Sequence, residues 1–316
     1  MYYNEQEARE LVIKAGLRLL ETQLIARTWG NISARVSDTE FVITPSGRAY
    51  DTLKPEELVK VNMETLKYKG NIKPSSEKGI HAHAYLLRKD VNFVIHTHQY
   101  YASALCAEGK DYDFAPCAGY GLPGTGKLKE AVSKCIAEHP QSKAFLMEKH
   151  GALCLGASFE EAFDVAEDLE RKCNKLFHEK VELQVADPKF DTSNVTGYPF
   201  VRFDSDPMIR TYSYRGKTLP ALIDDFAQIV GPDAKCRTPK GYKSGLKGRN
   251  AVLINGMGAL CVSDVEDDLD AISLIVSKNA AAALFCGDRA TPLSKRDALL
   301  QRVIYLKKYS KQKDKK

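Results

Sequence analysis

No Cys-x-x-Cys pair occurs among the eight cysteines of this 316-residue chain, which are scattered at positions 106, 117, 135, 154, 173, 236, 261 and 286. The N-terminus, Met1-Tyr2-Tyr3-Asn4-Glu5, also lacks a basic region followed by an apolar stretch. Both absences argue against secretion and for a cytoplasmic chain whose thiols are mostly buried as small hydrophobes. No run approaches the roughly 18 apolar residues of a membrane span, so no membrane partner is expected. Nor is there an excess of charge in the body of the chain. The formal net charge is +5, and residues 307–316 carry six Lys and one Asp, which accounts for all of it. A terminal lysine run of this kind reads as a solvated, disordered tail, and nothing calls for a nucleic-acid partner.

What is present is the composition of a globular enzyme, 44% apolar and 28% charged, in a chain longer than one hydrophobic core usually serves. Asn4 followed three residues later by Glu7 predicts a capped helix with Ala8, Leu11, Val12, Ala15, Leu19 and Leu20 at helical spacing. The runs around residues 29–36 and 41–44, separated by Ser37-Asp38-Thr39, predict a hairpin. From Glu77 to Leu87 a helix is expected, capped by Ser75 or Ser76. On it His81 and His83 point about 200° apart, His81 into the packing or behind the metal site as a support for it, and His83 toward the surface. Ala144–Met147 reads as a strand continuing past His150 through Leu155, and Ser158-Phe159-Glu160-Glu161 as the capping box of a long helix. Residues 187–194 have linker composition, placing a boundary between a domain at 1–190 and one at 195–306. Beyond it, 251–261 repeats the earlier strand, with Gly151-Ala152-Leu153-Cys154 recurring as Gly258-Ala259-Leu260-Cys261. Ser263 to Glu266 then predicts a second capping box, which makes 195–306 a degenerate partial repeat. Where the first copy has His150 the second has Met257.

The chemistry concentrates in the first copy. Val91-Asn92-Phe93-Val94-Ile95-His96-Thr97-His98 reads as a buried strand, and side chains two apart leave a strand on one face, so the two imidazoles converge. With His150 as a third nitrogen and Glu77 as a nearby carboxylate, they make a plausible zinc site that keeps one position open. An ordinary pair of core histidines is the alternative. Three Gly/Ser/Asn clusters precede that strand: Gly30-Asn31, Thr44-Pro45-Ser46-Gly47 and Ser75-Ser76. Short polar side chains and exposed N–H groups beside glycine are what a phosphate needs, which points to a small phosphorylated substrate.

Taken in order, Gly30-Asn31-Ile32-Ser33, Ile43-Thr44-Pro45-Ser46-Gly47, Pro74-Ser75-Ser76-Glu77, Asp90 through His98, and His150-Gly151 resemble the class II aldolase/adducin family over about residues 5–180. The likeness is strongest to its L-fuculose-1-phosphate aldolases. The resemblance implies an α/β fold with a mostly antiparallel central sheet flanked by helices, commonly a homotetramer with active sites between subunits. It implies cleavage of a ketose 1-phosphate into dihydroxyacetone phosphate and an aldehyde. It further assigns the metal, Zn²⁺ or another divalent first-row ion, to His96, His98 and His150, and the acid/base role to Glu77. Phosphate contacts fall to Asn31, Ser46, Gly47, Ser75 and Ser76. Tyr120, in Ala115–Gly121, matches a tyrosine that reaches a neighbour's active site; a loop aromatic packed at an interface is the other reading of it. Sugar-phosphate 4-epimerases and thiosugar-phosphate dehydratases of the same superfamily share the histidines, although Ser75-Ser76-Glu77 favours the aldolase over the epimerases' Ser-Ser-Asp. An adducin-like scaffold could keep the fold without chemistry, but it would have no use for three ligands and a matching carboxylate.

Overall fold

The computed structural model describes residues 2–25, 29–186 and 188–308. Residues 309–316, most of the predicted tail, and Asp187 of the predicted linker lie outside them. The chain divides into two compact units, Met1–Lys175 and Leu176–Lys316.

The first unit opens with helix α1 (Glu5–Glu21), where the Asn4 side chain accepts the Glu7 N–H as the capping pattern predicts. It buries Ala8, Val12, Ala15 and Leu19. Strands β1 (Asn31–Arg35), β2 (Glu40–Ile43) and β3 (Val59–Asn62) follow, then α2 (Lys78–Leu87), β4 (Phe93–Thr97), α3 (Tyr100–Cys106), β5 (Cys117–Ala118), α4 (Gly126–Glu138), β6 (Ala144–Met147), β7 (Gly151–Gly156) and α5 (Phe159–Lys180). The seven strands form one sheet in the order β3-β2-β1-β4-β7-β6-β5. Residues two apart, Phe41 with Ile43 and Leu153 with Leu155, share a face and pack with Ile80 and Ala84 of α2 and Leu128, Val132 and Ile136 of α4.

Three expectations are corrected here. The sheet is mixed: beside its antiparallel pairings, β5 runs parallel to β6 at one edge. Parallel neighbours need a crossover, and α4 supplies it. Residues 144–155 are not one strand but a β6–β7 hairpin, because three polar residues, Glu148-Lys149-His150, interrupt the apolar run and Lys149 adopts φ +61°. Finally, α2 begins at Lys78 with Glu77 at its cap position and no side-chain cap; the Ser75 hydroxyl accepts the Glu77 N–H at 3.2 Å, which leaves the Glu77 carboxylate for other partners.

The second unit contains β8 (Phe200–Asp204), α6 (Pro207–Ser213), β9 (Leu219–Pro220), α7 (Asp224–Ile229), β10 (Asp233–Ala234), β11 (Cys236–Arg237), α8 (Tyr242–Gly245), β12 (Ala251–Ile254), β13 (Gly258–Ser263), α9 (Asp268–Cys286) and α10 (Lys295–Lys308). Its larger sheet has the order β11-β12-β13-β8, again mixed, with β11 parallel to β12. The stretch 251–261 is likewise a hairpin, β12–β13, turning at Asn255-Gly256-Met257. The expected capping box at Ser263 does not form: its hydroxyl accepts the Val265 N–H and the helix starts only at Asp268. Segment Asp268–Arg289 corrects a further expectation, for it is long and apolar enough to cross a membrane by length and composition. However, 83% of that window is buried within the protein, with Lys278 and Asn279 inside it, as in a core helix.

The bounds of β8, α6, β12 and β13 all stand at one constant offset from those of β4, α3, β6 and β7, the offset that carries Gly151 to Gly258. Pairing follows it too, with Thr97 opposite Ala152 and Asp204 opposite Ala259.

Candidate active site

His96 projects from β4, and its Nδ1 lies 2.8 Å from the carbonyl oxygen of Ala152 on the neighbouring β7. Only an N–H can face a carbonyl, so the proton sits on Nδ1 and Nε2 presents its lone pair. Burial pushes this imidazole down to about 3, so it is neutral at physiological pH. His98 follows just past the end of β4, and the β6–β7 turn brings His150 to the same place. Ring centroids are 4.7 Å apart for His96–His98, 5.0 Å for His96–His150 and 4.8 Å for His98–His150. All three residues are buried, and one nitrogen from each lies within 4.8 Å of the others. The Nε2 atoms of His96 and His98 stand 3.0 Å apart, close to the roughly 3.3 Å that two nitrogens 2.0–2.1 Å from a tetrahedral ion adopt. The donor set therefore fits a divalent metal.

Gly151 is what lets the turn approach. Its φ is +159°, and a Cβ there would lie 2.3 Å from the Thr97 carbonyl oxygen and 3.4 Å from the His96 ring.

Glu77, also buried, reaches the same cluster. Its Oε1 is 2.9 Å from His150 Nε2, its Oε2 is 3.3 Å from His96 Nε2, and Oε2 accepts a 2.9 Å hydrogen bond from Asn31 Nδ2. Burial alone would raise this carboxyl, but the imidazoles of His150 and His96 and the Asn31 amide outweigh it and hold the group well below the usual range. A carboxylate next to three ligand nitrogens can take or give a proton at a substrate carbon.

The predicted phosphate-site residues separate into two kinds. Asn31 is buried and engaged by Glu77. The Ser46 and Ser75 loops lie against each other, with Ser46 N–H donating to the Lys73 carbonyl and Ser75 N–H to that of Thr44, both at 3.0 Å. Gly47 has φ +71°, and Ser76 is exposed. Tyr120 lies against the turn that carries His150: its N–H donates to Glu148 Oε2 at 3.0 Å, and the Lys149 ammonium lies 5.5 Å from its ring centroid. Sequence reasoning missed that Glu148–Lys149 pair and a polar series behind Glu77 comprising Ser33, His81 and Tyr85. The four-residue spacing of Glu77, His81 and Tyr85, one helical stripe, was the available signal. As expected, His81 is fully buried, while His83 is partly exposed and bonded to Ser133.

The model of the class II aldolase and adducin N-terminal domain matches residues 10–176. The chain belongs to this family. A 5-deoxy-D-ribulose 1-phosphate aldolase from Bacillus thuringiensis serovar kurstaki is 31% identical over 186 residues, spanning 55% of this chain and 85% of the relative. An L-fuculose phosphate aldolase from Haemophilus influenzae is 31% identical over 179 residues, 53% of this chain and 81% of that protein. Among solved structures, YgbL from Klebsiella pneumoniae, described as an aldolase, epimerase or decarboxylase, superposes with a TM-score of 0.50 at 25% identity, covering 56% of this chain and 91% of that one. The chain is a lyase, as its aldolase relatives are, and its buried histidine triad is able to hold a metal ion.

Proposed function

We propose that the chain is a metal-dependent aldolase that cleaves a ketose 1-phosphate, fuculose-1-phosphate-like or a deoxypentulose 1-phosphate, into dihydroxyacetone phosphate and an aldehyde. The observation that carries this reading is a single carboxylate, Glu77, hydrogen-bonded to His150 and 3.3 Å from His96 Nε2, beside three convergent buried imidazoles. His96, His98 and His150 would hold the ion, for which zinc suits three imidazoles best. A divalent metal held there would supply Lewis acidity for the negative charge that develops as the C3–C4 bond breaks.

The chain's own residues do the rest. Glu77 returns a proton to, or withdraws it from, the enediolate carbon. Asn31, Ser46, Gly47, Ser75 and Ser76 bind the phosphate; the mutual hydrogen bonds of their two loops support this by holding both at one place. Tyr120 exchanges a proton with the aldehyde-side oxygen in the active site of a neighbouring subunit of a tetramer. Residues 195–306 of the second unit are a degenerate partial repeat without catalysis: at the offset that carries Gly151 to Gly258, Phe203, Ser205 and Met257 stand where the first unit has its three histidines. All eight cysteines are free thiols, which suits the cytoplasm.

The test is a panel of ketose 1-phosphates differing in chain length and in C4/C5 configuration, with product coupled to glycerol-phosphate dehydrogenase. Dihydroxyacetone phosphate from at least one is expected. None from any of them would end the aldolase reading.

A further inference from the structure

Behind Glu77 a hydrogen-bonded series runs into the core. Asn31 donates from Nδ2 to Glu77 and turns its Oδ1 toward His81 Nε2 at 2.5 Å. His81 Nδ1 lies 2.7 Å from Ser33 Oγ, which lies 2.7 Å from the Tyr85 hydroxyl. Asn31 and Ser33 are two apart on β1 and share a face, and Glu77, His81 and Tyr85 are four apart down one side of the α2 region. The five side chains, all buried, thus interleave two elements in register.

Their chemistry allows one direction of donation. An amide oxygen only accepts, so His81 must carry its proton on Nε2. Complete burial pushes the imidazole down to about 3, so it is neutral and Nδ1 is bare. That nitrogen accepts the Ser33 hydroxyl, whose oxygen is then left to accept from Tyr85. Every proton in the series points toward Glu77. With the proton on Nδ1 instead, Nε2 would call for the Asn31 N–H group, and the amide would have to turn its oxygen onto the Glu77 carboxylate, acceptor against acceptor.

We propose that His81, as the Nε2-protonated tautomer, is a positioning residue for the acid/base carboxylate: it fixes the Asn31 amide in the one orientation that offers Glu77 a donor. The role given to Glu77 rests on the aldolase reading, whereas the tautomer and the amide orientation do not.

Two measurements test this on the full chain loaded with zinc. In an imidazole-¹⁵N-labelled sample, long-range proton–nitrogen correlation is expected to show a neutral Nε2–H ring that disappears in His81→Gln. A His81 ring in the Nδ1–H form, or one doubly protonated near neutral pH, would overturn the proposal whether or not any sugar phosphate is cleaved. On a substrate that is turned over, His81→Phe is expected to lower kcat by about 10–100-fold, the usual effect of removing a group that orients a site residue. KM should change less than about threefold and zinc content not at all. His81→Gln, whose amide can still donate toward Asn31, should recover much of the loss. A lowered melting temperature with kcat unchanged in His81→Phe would reduce His81 to a packing residue and refute the positioning role. Should the wild type cleave no ketose 1-phosphate, the aldolase reading fails and the tautomer measurement still decides the series.

Discussion

The turns Glu148-Lys149-His150-Gly151 and Asn255-Gly256-Met257-Gly258 have nearly the same backbone and carry different side chains. Lys149 and Gly256 adopt φ +61° and +69°, Gly151 and Gly258 +159° and +155°. In each turn the third residue donates its N–H to the strand before it at 2.9 Å, His150 to Met147 and Met257 to Ile254. A Cβ on the fourth residue would lie 2.3 Å from a carbonyl oxygen in both, that of Thr97 or of Asp204. The hairpin is therefore a property of the fold, whereas the imidazole is an addition to it. The first unit also places a lysine in the left-handed region, at about 1–2 kcal/mol, where the second uses glycine.

The comparison breaks most visibly at the ligands. His96→Ala is expected to abolish both bound metal and turnover, while Glu77→Gln keeps the metal and loses about 10²–10⁴-fold in kcat. Phe203→Ala, at the matching place in the second unit, should leave both unchanged. Metal analysis beside a coupled assay reads all three, and loss of turnover in Phe203→Ala would contradict a non-catalytic second unit. Rebuilding the triad sharpens the contrast: Phe203→His, Ser205→His and Met257→His together, in a His96→Ala background, should restore binding of one metal equivalent without restoring cleavage. Failure to gain any metal would mean that the matching backbone does not bring those positions together.

A smaller effect is expected at the paired glycines. Gly151→Ala and Gly258→Ala should each cost about 1–3 kcal/mol in denaturant unfolding, because backbone must move, but only Gly151→Ala should lower activity.

Confined to the first unit is the response to acid. The four buried histidines, His81, His96, His98 and His150, all belong to the first unit, and the second unit's His178 is exposed. His81 is held at about 3 against an ordinary 6.5, so the unfolded chain binds a proton that the folded chain refuses. Its contribution is fully present above about pH 6.5 and declines toward pH 3, by at most about 1.4 kcal/mol per pH unit. Hydrogen exchange followed from pH 7 to 4.5 should show the first unit loosening before the second, less so in His81→Gln. Equal loosening would remove the distinction.

Much of the site is legible in the sequence because its signals are local. Two residues of spacing on a strand put His96 and His98 together, and Asn4 caps α1 through a side chain three residues from its partner. The turn at His150 is hidden because apolar strands flank it on both sides; Asn255-Gly256 in the second unit is a strong hairpin signal that locates the same turn there. A two-residue strand such as β5 has no periodicity to read, so the parallel edge is invisible. The series from Glu77 to Tyr85 depends on how β1 meets α2, a register between segments more than forty residues apart that no local pattern encodes. The apolar stretch around α9 shows the opposite failure, since composition near a membrane span's is spent inside the protein.

The order of the functional atoms along the chain has a consequence for descent. The nitrogens of the site come from β4 onward, at positions 96, 98 and 150, whereas the Asn31 amide and the Glu77 carboxylate precede β4, and the matching of element bounds between the two units starts only there. A copy made from β4 onward would inherit a chelate without a base. If the second unit is the degenerate copy proposed above, it had no base beside its histidines from the outset, and Phe203, Ser205 and Met257 now stand at their places.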